Sequence, residues 1–385
     1  MFTYKMPTEL FVGRGAAALL GGKVKEMGWS RALIVTDTGV AGAGVIGKLE
    51  ESLTKAGIPC AVFDEVEPEP TIQGVAKATE QAKSFKADVI IGVGGGSPMD
   101  SAKAVAVMAV NPGKIFDYVG FGLVKTQPLP IIAVPTTAGT GSEATFWSVL
   151  CDKTKNVKAS VGGWNLMPTL AVVDAELTIG LPPRITASTG MDALCHAMES
   201  YVAKSTQPIS EGLSIAAMKL IARSLRRAVN RGDDIQARED MIMGSLIAAM
   251  AFNITRLGNA HALAIPFGAH FGIPHGVVNA ILLPWVMEYN LPAATEKYIE
   301  IARIFGENVD GLAPDDAAAK SVAAVRKLLV DIGLSEGLDA WKVTEKALPK
   351  IAEEAVKSGN VPVNPRLTKV DDLIAIARNA LHGIK

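Results

Sequence analysis

From Arg31 to Asp174, apolar runs of strand length alternate with stretches of helical period. Ala32–Thr36, Pro59–Phe63 and Val89–Val93 read as buried strands, with helices over 42–57 and 71–86 between them. Ile131–Val134 and the short runs 157–161 and 170–173 continue the pattern. Strands that are apolar on both faces and joined by helices belong in a parallel sheet covered on both sides. After Leu181-Pro182-Pro183 the alternation stops. From Arg184 onward helical periods are punctuated by Gly and Pro, with no convincing strand. The reading is therefore two domains, α/β over 1–183 and all-helical over 184–385. A chain of 385 residues is long enough to give each a full core.

Composition narrows the partners. Lys plus Arg number 38 against 39 acidic residues, a net charge of -1, which offers no field for nucleic acid or anionic lipid. Cys60, Cys151 and Cys195 are scattered and odd in number, so no disulfide framework is expected and a reducing, cytoplasmic setting fits. The first residues lack a positive patch followed by an apolar run, and no uncharged apolar stretch of spanning length follows. Small molecules, or further copies of the chain, are the expected partners.

Three segments at the carboxyl ends of strands can bind a dinucleotide. Gly94-Gly95-Gly96-Ser97 lies between a strand and the helical run Met99–Val110. Glycines let backbone amides approach an anion, Ser97 can cap, and Pro98 suits a first helical position. A phosphate on that helix N-terminus is one reading, and a tight turn without a ligand is the other. Asp37, closing the first strand, can accept hydrogen bonds from a ribose diol and would repel a 2'-phosphate, or it serves the turn alone. Pro135-Thr136-Thr137-Ala138-Gly139-Thr140-Gly141-Ser142-Glu143 offers hydroxyls and free amides. All three converge where open α/β sheets bind ligands.

The helical half carries a different chemistry. Residues 186–202 read as a helix on which Asp192 and His196 lie four apart, ~5–6 Å between Cβ atoms. Glu199 falls on the same stripe, opposite Leu194, Met198 and Tyr201. The chain has five histidines, His196, His261, His270, His275 and His382, and three of them lie in Asn259–Gly276. Pro266, Gly268, Gly272 and Pro274 argue against one continuous helix there, so His261 is expected to end a helix and His275 to start the next. One carboxylate and up to three imidazoles without a thiolate suit Fe(II) or Zn(II) with positions left open. Cys195 lies off the stripe and reads as packing; His382, near the C-terminus, reads as surface.

These segments together resemble the iron-containing (group III) alcohol dehydrogenases. The likeness rests on Gly-Gly-Gly-Ser-Pro-x-Asp at 94–100, Pro135–Glu143, Leu181-Pro-Pro with Thr-Gly-Met-Asp-Ala-Leu-x-His at 189–196, and Pro-His-Gly-Val-x-Asn-Ala at 274–280. The resemblance implies a dehydroquinate synthase-like architecture, an α/β dinucleotide-binding domain followed by an all-α metal-binding domain. It maps the metal onto Asp192, His196, His261 and His275. It maps NAD, rather than NADP, onto Asp37, Gly94, Gly95, Gly96, Ser97, Thr136, Thr137, Thr140, Lys158 and Thr178. A homodimer or larger homo-oligomer is implied, with Thr3–Val12 as a strand that copies could exchange.

Many relatives carry a second histidine where this chain has Ile265, which leaves His270 as the candidate proton relay. Trp147, Val149 and Phe252 correspond to positions bordering the substrate, so a short primary alcohol or aldehyde is expected. Glycerol dehydrogenase-like activity, or an ω-hydroxy acid anchored by Arg256, stands as the alternative. A dehydroquinate synthase-type cyclase fits poorly, because no Lys or Arg occurs between Leu257 and Glu296 or between Ile185 and Ala203 to hold a phosphorylated or polycarboxylate substrate.

Overall fold

The computed structural model describes residues 2–153 and 157–384. It divides into two compact units, Lys5–Gly180 and Leu181–Lys385 with Met1–Tyr4. In the first unit the strands are β1 (Glu9–Val12), β2 (Ala32–Val35), β3 (Cys60–Phe63), β4 (Val89–Gly94), β5 (Gly120–Phe121), β6 (Ile131–Pro135), β7 (Trp147–Asp152), β8 (Val157–Gly162) and β9 (Leu170–Val173). Its helices are α1 (Leu20–Glu26), α2 (Thr38–Gly42), α3 (Val45–Lys55), α4 (Ile72–Phe85) and α5 (Gly96–Val110).

Six strands form one parallel sheet in the order β1-β9-β6-β4-β2-β3. The inner strands β9, β6, β4 and β2 are buried along their whole length, as the apolar runs require, with a cluster of core residues on each face. From β2 the chain steps outward to β3 and then crosses back to β4, so the winding reverses between β2 and β4. The carboxyl ends of strands beside such a reversal are where an open sheet offers a crevice.

Two details differ from the sequence reading. The helix expected over 42–57 is α3, which starts only at Val45, because Gly44, at φ +76°, separates it from the short helix α2 capped by Asp37. The run 157–161 does not extend the main sheet. As β8 it pairs antiparallel with β7, from Trp147 opposite Gly162 to Asp152 opposite Val157, and parallel with β5, in a separate three-stranded sheet. Glu9–Val12, within the segment expected to be exchangeable between copies, forms β1 at the edge of the sheet beside β9.

The second unit consists of α6 (Pro183–Val202), α7 (Pro208–Asn230), α8 (Ile235–Thr255), α9 (Asn259–Phe271), α10 (His275–Asn290), α11 (Thr295–Ile304), α12 (Pro314–Asp331), α13 (Leu348–Ala355) and α14 (Val370–Asn379), with short 3-10 turns and no strand among its described residues. No single helix among the described residues is long and apolar enough to cross a membrane. Helix α6 is central: Leu194, Met198 and Tyr201 are buried, and so are Asp192, His196 and Glu199. The polar stripe therefore faces protein rather than water.

Gly92 shows how tightly α5 lies on the sheet. A Cβ there would stand 2.8 Å from Ala102 Cβ and 2.9 Å from Met99 Cα. Because backbone cannot rotate away, Gly92→Ala is expected to destabilise the protein by about 1–3 kcal/mol, read as a lower urea midpoint at unchanged slope.

Candidate functional site

Helix α6 delivers Asp192 and His196, α9 delivers His261 in its first turn, and α10 begins at His275. Asp192 Oδ1 lies 3.5 Å from His261 Nε2, 3.7 Å from His275 Nε2 and 3.9 Å from His196 Nε2. Asp192, His261 and His275 each turn one ligand atom into a single small space. His196 stands beside them, its ring stacked between Phe252, at 4.3 Å, and His261, at 4.6 Å. His261 does not end a helix as its spacing had suggested. Pro266 sits inside α9 and gives up one helical hydrogen bond without breaking it, and the chain reverses only at Gly272, whose φ is +66°.

A close helix crossing brings α10 to α6. A Cβ on Gly276 would run into the Ser188 carbonyl and stand 3.5 Å from Asp192 Cβ, so glycine after His275 lets the two backbones meet. Gly258, which caps α9, similarly lies against the Glu199 carboxylate and Asn364. Two residues the sequence reading left without a role complete the cluster. Glu199 accepts from the backbone amides of Gly258 (2.9 Å) and Ala260 (2.7 Å) and lies 2.7 Å from His261 Nδ1. Asn279 Nδ2 donates to Asp192 Oδ1 at 2.8 Å and lies 3.1 and 3.2 Å from His261 and His275 Nε2. Glu199 was visible on the polar stripe and Asn279 in Pro-His-Gly-Val-x-Asn, yet neither pattern says what the side chain touches.

The electrostatics favour a cation. Burial pushes the Asp192 carboxyl up, but the His196, His275 and His261 rings outweigh it and hold the pKa well below the usual carboxylate range. Burial lowers His261, yet Cys195, Asp192 and Glu199 hold it well above the ordinary imidazole value. Buried carboxylates set among three imidazoles are the donor chemistry of a divalent-cation site. Burial raises the Cys195 thiol to about 12, which keeps it a thiol 3.7 Å from His261 Nδ1.

In the first unit, the loops after β2, β4 and β6 hold the expected dinucleotide residues. Asp37 caps α2 by accepting from the Val40 amide at 2.9 Å. Gly94 has φ +145° and leaves room for Pro98, and a Cβ on Gly96 would stand 3.1 Å from Thr140 Cγ2. Gly94 is therefore required by the turn itself, Gly96 is crowded by Thr140, and Gly95 is left open. Helix α5 starts at Gly96, so Pro98 is its third residue and not its first. Ser97 does not cap it, since its hydroxyl donates to the Pro68 carbonyl at 2.6 Å. No side chain caps this helix start, which leaves first-turn amides for an anion. The Thr136 amide donates to Gly94, joining the two loops, and the buried Thr137 hydroxyl beside Gly95 has no hydrogen-bond partner. Lys158 pairs with Glu69 at 3.2 Å, and Thr178 donates to the Ala175 carbonyl at 2.8 Å.

Comparison with known proteins agrees with this arrangement. The family model "Iron-containing alcohol dehydrogenase" matches residues 7–175, and "Fe-containing alcohol dehydrogenase family, C-terminal" matches 186–381. The chain belongs to the iron-containing alcohol dehydrogenase family. It is 42% identical to 1,3-propanediol dehydrogenase of Klebsiella pneumoniae over 383 residues, covering 99% of each chain. It is 37% identical to the NAD-dependent methanol dehydrogenase of Bacillus methanolicus, covering 99% of this chain and 100% of that one. Among solved structures, 1,3-propanediol oxidoreductase superposes with a TM-score of 0.97 at 41% identity, covering 99% of this chain and 100% of that one.

Other residues of this family member are less central. Ile265 is exposed on α9. His270 lies about 13 Å further along that helix than His261 and is paired with Glu354 at 2.9 Å, so its placement gives a proton-relay role no support. His382 is exposed and paired with Asp339. Arg256, exposed at φ +62°, lays its guanidinium over Gly359. Trp147 packs with Phe121 and Phe146, and the Val149 amide donates to Asp100.

A buried polar network, also missed from sequence, braces the glycine-loop helix. Lys103, a lone cation in an otherwise apolar helical run, donates to Ser142 Oγ (2.7 Å), Thr145 Oγ1 (3.3 Å) and the Trp147 carbonyl (2.8 Å). Asp100 accepts from Ser142 and Val149. Burial pulls the Lys103 ammonium down while Asp100 and Glu143 oppose it. Burial raises the fully enclosed Glu143 carboxyl from 4.5 to about 7, against its backbone hydrogen bond and Lys103, and its Oε2 has no hydrogen-bond partner. The folded state thus holds this proton more tightly than the unfolded chain does. Its stabilising share is complete below pH 4.5 and is lost as pH rises through about 7. That loss is on the order of 3 kcal/mol. Unfolding titrations between pH 4.5 and 8 are expected to show this decline in the parent and a flatter profile in Glu143→Gln.

Proposed function

We propose that the protein is an NAD(H)-dependent, metal-dependent alcohol dehydrogenase or aldehyde reductase acting on short primary alcohols and aldehydes, diols included. The observation that carries the reading is the buried Asp192 carboxylate with His261, His275 and His196 around it. These four side chains would hold one divalent ion, Fe(II) by family and Zn(II) by donor type. The donor set fits such an ion. Ligand atoms converge, and Glu199 takes the outer nitrogen of His261 so that Nε2 points inward. When bound, the ion would supply Lewis acidity toward an alcohol or carbonyl oxygen, and the nicotinamide would supply or accept the hydride.

The chain's own residues do the rest. The uncapped amides opening α5 would take a diphosphate, Asp37 a ribose hydroxyl pair, and the unpartnered Thr137 hydroxyl a further polar group of the dinucleotide. Phe252, packed on His196, makes the surroundings of the metal ligands apolar, which suits a small, weakly polar substrate. The 1,3-propanediol and methanol dehydrogenases it resembles carry short-alcohol names, and the second is named for NAD. Both support the same assignment.

Chelation should abolish alcohol-dependent NAD reduction, and Fe(II) or Zn(II) should restore it in an assay against a panel of short alcohols and diols. Full turnover in metal-free protein would refute the reading. For the nucleotide, Asp37→Gly is expected to raise kcat/KM for NADP relative to NAD; an unchanged ratio removes Asp37 from the ribose site.

A further inference from the structure

The geometry points to Glu199 as a positioning residue that fixes the tautomer of His261 and thereby sets the affinity of the cluster for its metal. This rests on the reading of Asp192, His196, His261 and His275 as a metal site. Glu199 projects from α6, one turn beyond His196, and is 4% exposed. Its carboxylate takes hydrogen bonds from nitrogens at the start of α9. Oε1 accepts from the Ala260 amide, while Oε2 accepts from the Gly258 amide and faces His261 Nδ1 at 2.7 Å.

A carboxylate has no proton to offer, so Nδ1 carries a hydrogen facing Glu199, and the nitrogen left to give a lone pair to a metal is Nε2. Nε2 lies on the Asp192 side, 3.5 Å from Oδ1. By capping α9 with the same two oxygens, Glu199 also fixes where the helix begins and hence where the ring stands. Glutamine has the same shape but a single acceptor. It must either leave a buried amide unpaired or turn its NH2 toward Nδ1, which moves the ring proton to Nε2 and blocks ligation.

The test measures metal affinity directly, with Zn2+ as the probe and a chromophoric chelator as competitor, on the full chain after metal removal. Glu199→Gln is expected to raise the Zn2+ dissociation constant about 10–100-fold, more than any change in the unfolding midpoint of the metal-free protein accounts for. Gly258→Ala provides a second route. It keeps the carboxylate but sets a Cβ 2.8 Å from Glu199 Oε1, so the carboxylate must shift and affinity should fall in the same direction. A Zn2+ affinity within twofold of the parent in either folded variant overturns this inference alone. A parent that takes up no Zn2+, or an Asp192→Ala variant that binds it as well as the parent, overturns the metal-site reading and this inference with it.

Discussion

The helical unit is organised around buried negative charge. Asp192 and Glu199 sit on one face of α6, out of water, and a carboxylate in that position is tolerable only when donors surround it. The donors come from other elements: imidazoles of α9 and α10, the Asn279 amide, and the first backbone amides of α9. Three helices are therefore bound to one electrostatic requirement. The requirement is met from all sides except the centre, where the ligand atoms of Asp192, His261 and His275 face one another.

The sheet unit solves a related problem differently. Its glycine loop is held by backbone contact with Thr140 and Pro98, by the Thr136 amide, and by Ser97 reaching to Pro68. Beneath it, Lys103 and Asp100 tie α5 to Ser142, Thr145 and β7 through buried hydrogen bonds. A loop built this way keeps its amides oriented before any ligand arrives, which lowers the ordering cost of binding.

Much of this was legible in the sequence because periodicity and punctuation are local signals. The inner strands, the change of pattern after Leu181 and the i, i+4 spacing of Asp192 and His196 all follow from them. What failed was also physical. Pro266 was read as a helix boundary, but packing around α9 tolerates one missing hydrogen bond. The crowding of Gly94 by Pro98 and of Gly96 by Thr140 was not legible either, because these neighbours are brought in by the fold and no local pattern reveals them. The β7–β8 pair was missed because pairing depends on a partner strand, and β7 was not recognised. Glu199, Asn279 and Lys103 were missed as functional supports because a buried polar residue differs from a solvated one only in what surrounds it.

The meeting of α6 and α10 at Gly276 has one more implication. Side-chain interfaces can absorb strain through rotamer changes. At Gly276 the contact is with the Ser188 carbonyl, so the separation is set by peptide groups and has no soft coordinate. His275 is the next residue, and its distance from Asp192 inherits that stiffness. The gap between ligands on different helices is in this sense a property of the main chain, insulated from ordinary variation in the packing around it.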